Sequence, residues 1–185
     1  DEASTVIHEA YTDDAKYDDE YDLSKQILGT VEYEGQTYEL ISKSGSAVSG
    51  TVKGDVEITL VYSLDADEDT TPDKYEATVT YEVVNGTFAE GETTVTQEYV
   101  LAEENEEDGT WTEATRYLEN IPVPTANEGY GNGGWDVTPT TETVVEDGAK
   151  YTYTYTANDQ TLRVNYVMDD EASTVIHEAY TDDAK

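Results

Sequence analysis

Cysteine is absent from the 185 residues, which excludes disulfides, thiolate zinc sites and cysteine nucleophiles. Basic residues are few. Nine Lys and Arg stand against 43 Asp and Glu, a formal net charge of −34 at pH 7. Phosphate recognition needs a basic footprint, so this balance argues against nucleic acid as a partner and against docking on anionic membranes. Long apolar runs are missing too. None comes near the ~20 residues of a membrane span, so no membrane insertion is expected. No signal-peptide pattern opens the chain, which reads as a mature internal fragment. Met and Phe occur once each, leaving the core to Val, Leu, Ile and the 16 Tyr.

Acidity of this degree is a mark of disordered chains. Here, however, β-branched and aromatic residues stand in alternating runs that disordered segments lack. The expectation is a folded, β-rich protein of one or two domains with a strongly solvated surface.

A repeat dominates the organisation. Residues 1–16 read DEASTVIHEAYTDDAK, and residues 170–185 repeat all sixteen. Chance does not produce such an identity. The chain is one period of 169 residues plus an overlap. The parent protein is expected to carry near-identical tandem repeats, cut here at an arbitrary phase. The alternative is an artificial duplication.

Period-two alternation marks the strands. In residues 50–64, Val56, Ile58, Leu60 and Tyr62 share one face. In residues 75–84, Tyr75, Ala77, Val79, Tyr81 and Val83 do the same. Residues 93–101, 151–156 (YTYTYT) and 162–168 (LRVNYVM) follow the rule, and residues 4–11 read as another strand. Residues 32–41 (EYEGQTYELI) predict a hairpin turning near Gly35. Residues 21–28 (YDLSKQIL) are the helix candidate, capped by Asp22 or Ser24 and ended by Gly29. Residues 103–109 (EENEEDG) read as a solvated loop. Residues 121–124 (IPVP) and 129–134 (GYGNGG) read as breakers that no central strand tolerates, with Trp135 after them as a core anchor.

These elements predict a mainly β (α+β) fold: tandem β-grasp-like modules in an elongated array, with one short helix in the first module. Residues 1–66 form a module lacking its first strand, and 67–74 an acidic linker. Residues 75–158 form a second β module. Residues 159–185 hold the missing strand and the start of the next repeat.

Wrapped across the period, the first module resembles the MucBP-type repeat of Gram-positive surface proteins. The residues carrying the resemblance are Val164 to Asp169, Tyr21-Asp22, Ile27, Tyr33 to Tyr38 and Val61-Tyr62. The second module is similar to SHIRT-like and Listeria–Bacteroides-type repeats through Val79 to Tyr81, Asn85 to Thr87, Pro122, Pro124, Gly129-Tyr130 and Gly133 to Asp136. The resemblance implies modules strung along wall-attached extracellular stalks or adhesins. It also implies, as an alternative, a module that binds host mucin or another glycan.

Residues with chemistry to offer are few. His8 and its copy His177 stand beside Glu9 and Glu178, with no nucleophile-elbow pattern near either. With 43 acids, carboxylate pairs arise from composition alone, and no catalytic role is expected. One spacing stands out. Asp65, Asp67, Asp69, Asp73 and Glu76 fall at places 1, 3, 5, 9 and 12, the ligand spacing of a calcium loop. Thr70 occupies the place where such loops carry Gly, and strands rather than helices flank it. The alternative is a solvated acidic linker. Calcium is therefore the one candidate cofactor, with a stiffening role. Lys53 and Lys74 are candidates for an isopeptide cross-link, which requires a buried Lys. Tyr130 and Trp135, or the ladder Tyr151, Tyr153 and Tyr155, are candidate sugar platforms.

The expected partners are neighbouring copies of the repeat, joined head to tail. Leu162, Val164, Tyr166 and Met168 would form the inward face of a donated strand, or Arg163, Asn165 and Val167 if the register flips. A net of −34 opposes compaction. Monovalent salt shortens the Debye length to ~10 Å at 0.1 M. The thermal midpoint should therefore rise from low to moderate NaCl, and a flat or falling curve would refute the repulsion argument.

Overall fold

A computed structural model describes residues 5–168 and 175–184. Among them every regular element is a strand or a single 3₁₀ turn. The strands are β1 Glu20–Asp22, β2 Thr30–Tyr33, β3 Gln36–Gly45, β4 Ser49–Thr51, β5 Ile58–Asp65, β6 Glu76–Val84, β7 Gly86–Thr87 and β8 Thr94–Val100. They continue with β9 Ala102–Asn105, β10 Thr110–Glu113, β11 Thr125–Ala126, β12 Tyr130–Trp135, β13 Lys150–Ala157, β14 Gln160–Val167 and β15 Val175–Ala184. The mainly β expectation holds.

The chain divides into two compact units. One comprises Asp1–Val79, Gln97–Tyr117 and Val144–Gly148; the other comprises Thr80–Thr96, Leu118–Thr143 and Ala149–Lys185. The division falls within β6 and within β8.

In the first unit, β2, β3 and β5 form an antiparallel sheet in that order. The predicted hairpin is there. Tyr33 faces Gln36 across a two-residue turn in which Glu34 and Gly35 both have positive φ, 52° and 80°. That is the turn whose twist matches a hairpin. β5 shows the expected alternation, with Ile58, Leu60 and Tyr62 turned inward between exposed Thr59 and Val61. It begins at Ile58, however; Gly50 and Thr51 belong to β4, paired with β1.

The helix expected over 21–28 does not form. Tyr21 and Asp22 pair with Gly50 and Ser49, and only Ser24–Gln26 makes a 3₁₀ turn. Asp22 Oδ1 accepts from the Ser24 amide at 2.9 Å and its hydroxyl at 2.5 Å. Asp22 thus closes a local turn on Ser24 but caps no helix, the cap position being Leu23, and sheet pairing overrides a short propensity signal.

The sheet order β12-β13-β6-β8 places β13 parallel to β6. The five residues expected on one face of β6 and just before it, Tyr75, Ala77, Val79, Tyr81 and Val83, are all buried. In the second unit the Tyr81 ring stacks on Tyr151, centroids 5.6 Å apart, and meets Trp135 edge-on at 6.2 Å. Residues 130–134 of GYGNGG form most of β12, and β12 is an edge strand with an irregularity between Gly131 and Gly134, so no central strand carries these glycines. Glycine suits this place because a Cβ on Gly133 would sit 2.2 Å from Tyr153 Cε1. The Tyr153 and Tyr155 rings lie where a side chain at position 133 would otherwise project. Residues 103–109 are not a simple loop: β9 and β10 form a hairpin, with Glu106 and Glu107 exposed at its tip.

The strand expected over 4–11 is absent over 5–11, although the same sequence in the second copy forms β15. Ser4 lies outside the described residues, as do Asp169 of the MucBP-like motif and 170–174 of the second copy.

Burial sets the cost of truncation. Leu118 is 0 % exposed and Leu162 is 57 % exposed. Leu118→Ala should cost about 2–5 kcal/mol in urea unfolding, and Leu162→Ala less than ~1 kcal/mol. Equal losses would contradict this core.

Candidate functional site

The five acids of the spaced motif converge. Asp65, Asp67 and Asp73 bring carboxylate oxygens within 4.8 Å of one another, and Asp67, Asp69 and Glu76 do the same. Asp67 belongs to both groups. The loop is built around Asp65, the last residue of β5, whose side chain is 1 % exposed. Its carboxylate accepts the Asp69 amide at 3.3 Å and the Thr70 amide at 3.0 Å. Asp73 accepts the Ala66 amide at 2.8 Å, and Asp69 accepts the Thr71 amide at 2.7 Å.

Thr70 has φ of 80°, so the left-handed turn that Gly makes in calcium loops is made here by a β-branched residue. Asp65 holds the Thr70 amide in that turn. Glu76 opens β6 beside the cluster. Its carboxyl is pushed above the ordinary range, first by burial and then by the charges of Asp67, Asp69, Asp73 and Asp65. Hard oxygen donors at this density suit Ca²⁺, which takes six to eight of them. The acids also satisfy the loop's own amides, as a purely structural acidic turn would.

The other expected site residues have different surroundings. Leu162, Val164 and Tyr166 lie in β14, with Met168 one residue past its end, and all four are exposed, as is Val167. β14 pairs antiparallel with β15, and the Tyr166 ring meets His177 edge-on at 5.1 Å. His8 is exposed, its Nδ1 2.9 Å from the Glu9 carbonyl oxygen. The Glu178 side chain lies outside the described residues.

Tyr130 is the first residue of β12, paired with Ala157, and is 36 % exposed. Trp135 is half-buried, edge-on to Tyr153 at 5.1 Å, so its ring serves packing. Tyr151 is buried, and Tyr153 and Tyr155 are tilted against each other at 4.8 Å. The ladder is therefore cross-strand packing rather than an open sugar platform. Lys53 and Lys74 do not have the burial an isopeptide donor needs. Lys53 pairs with Asp18 beside the Tyr17 ring, and Lys74 lies 4.5 Å from the Tyr75 ring centroid, both exposed.

One polar contact had no signal in the sequence. Lys43 on β3 meets Asp108 of the β9–β10 turn at 2.9 Å, both half-buried. The Thr110 hydroxyl and then Lys43 hold the Asp108 carboxyl down at about 2. The partners are 65 positions apart, so no spacing rule could have found them.

Comparison with protein-family models, curated proteins and solved structures gave no match.

The acidic loop yields a test. Millimolar Ca²⁺ should raise the melting midpoint by mass action, and more than Mg²⁺ does. Asp67→Asn with Asp69→Asn should remove the difference. The pH dependence has a definite sign. With its carboxyl raised, folded Glu76 holds its proton better than unfolded Glu76. Without the ion, protonation through that raised range therefore stabilises. The same protonation removes a ligand, so the calcium increment should shrink as pH falls. Equal shifts for both ions, or a shift surviving in the double variant, would leave only diffuse screening.

Proposed function

We propose that this chain is one period of a non-catalytic structural repeat from an extracellular, wall-attached bacterial stalk, fibre or adhesin. The observation that carries the reading is the sixteen-residue identity of 1–16 and 170–185, whose second copy pairs with β14, the strand just before it. In a continuous array, the head of each period would pair with the last strand of the period before it. Successive periods would then share a ladder.

Three further features support a mechanical role. The β content supplies stiffness, the high negative charge keeps near-identical neighbours soluble and apart, and the MucBP-like and SHIRT-like motifs belong to repeats of such stalks. No helix among the described residues is long and apolar enough to cross a membrane. The rival reading, a mucin- or glycan-binding module, has Tyr130 in its favour and the packed Trp135 against it.

Small-angle scattering tests the proposal. A chain of two periods should show a maximum dimension close to twice that of one period, as a rod does. A compact profile, growing only with the cube root of mass, would reject a stalk. Saturable binding of one period on a glycan array would instead favour the rival.

A further inference from the structure

The two copies of the repeated segment share a sequence and differ in what they pair with. The second copy, as β15, runs antiparallel to β14. Leu162 faces Asp182, Val164 faces Tyr180, Tyr166 faces His177 and Val167 faces Val175. The first copy forms no strand over 5–16. A segment able to form a ladder, with that ladder displayed elsewhere in the same chain, thus stands without it.

We propose that residues 5–15 are an acceptor edge for β14 of a second copy of this chain, in the register that β15 adopts within the chain. Val164 of the incoming strand then lies opposite Tyr11, Tyr166 opposite His8 and Val167 opposite Val6. Main-chain bonds supply the affinity, as in other strand additions. Charge favours the pairing: β14 brings Arg163 and no acid to a segment carrying Glu9, Asp13 and Asp14.

Because the two acceptors are identical in sequence, their pairing with β14 differs chiefly in connectivity. The internal copy acts at an effective concentration of order millimolar. β15 therefore works as a built-in cap. Below that concentration the chains stay closed; with β15 displaced, β14 is released to the head of the next molecule. Donor and acceptor are different surfaces, so the contact is heterologous and propagates instead of closing into a dimer. A simple donation of β14 by the intact chain is thereby replaced by an exchange in which β15 must first let go. The inference goes beyond the stalk reading and does not need it: a compact two-period profile would sink that reading and leave this one standing.

Two experiments on the full-length chain test it. In the first, a fluorescent peptide with the sequence of residues 160–168 is titrated with the chain in moderate NaCl. Saturable binding is expected, and Ala10→Pro with Tyr11→Pro should weaken it at least ~10-fold. Adjacent residues of a strand point their amides to opposite edges, so one of the two prolines must remove a bond to the incoming strand. In the second, Ala179→Pro with Tyr180→Pro opens β15. Sedimentation should then show concentration-dependent assemblies that disappear when the head prolines are added. No peptide binding up to millimolar chain, or binding indifferent to the head prolines, would overturn the proposal. So would an opened chain that remains monomeric. The peptide experiment leaves β15 intact, so it decides the matter even if the opened chain aggregates.

Discussion

A strand cannot satisfy its own backbone. Each strand carries amides and carbonyls along both edges, and those groups are bonded only where another strand lies alongside. With no α-helix among the described residues, this chain depends on pairing throughout, much of it between distant positions. β6 and β13 are joined across more than sixty residues, and β1 and β4 across more than twenty. Such contacts must close long loops before they return any stability, so folding of this chain is set by topology rather than by local propensity. The duplicated segment shows the same dependence in its barest form. One sequence is a strand where β14 lies beside it and is not a strand over 5–16, where no ladder forms.

Charge is arranged around that constraint. Asp65 is the buried acid among the described residues, and it is bonded to two loop amides rather than left bare. Elsewhere cations pair with acids distant in the sequence, Lys43 with Asp108, Arg116 with Glu103 and Lys150 with Glu82. Most such pairs are at least partly exposed and contribute on the order of 0–1 kcal/mol each. The remaining acids keep the surface wet and like-charged, while the aromatic cluster of Tyr81, Tyr151, Tyr153 and Trp135 supplies cohesion where Met and Phe are scarce.

What was legible in the sequence was the information carried locally. Alternation over 75–84 named the buried face of β6 residue by residue, because a pleat turns every second side chain the same way. Gly35 marked the hairpin because only certain residues turn it. The spacing of the acidic loop was likewise a local signal, and its carboxylates do come within 4.8 Å of one another in two groups of three. Where the outcome depended on a remote partner, the reading failed. Residues 21–28 carried a short apolar period that pairing with 49–51 overrode. GYGNGG read only as a breaker, because the reason for Gly133 is the Tyr153 and Tyr155 rings against it, and those lie some twenty residues away. The Lys43–Asp108 pair and the loss of the first-copy strand belong to the same class.

The directions of the paired strands also decide how the chain would bear a load. Tension entering β6 at Glu76 and leaving β13 at Ala157 pulls a parallel pair from opposite ends, so its bonds are sheared together and resist as a group. The β14–β15 ladder is the opposite case. Gln160 and Ala184 face each other, so a pull on the chain is focused on that one pair and opens the ladder like a zip, bond by bond. Its release would pay out some 80 Å of extended backbone before the parallel pair feels the full force. A polymer of such periods would stretch first at its seams, then recoil as the seams closed again.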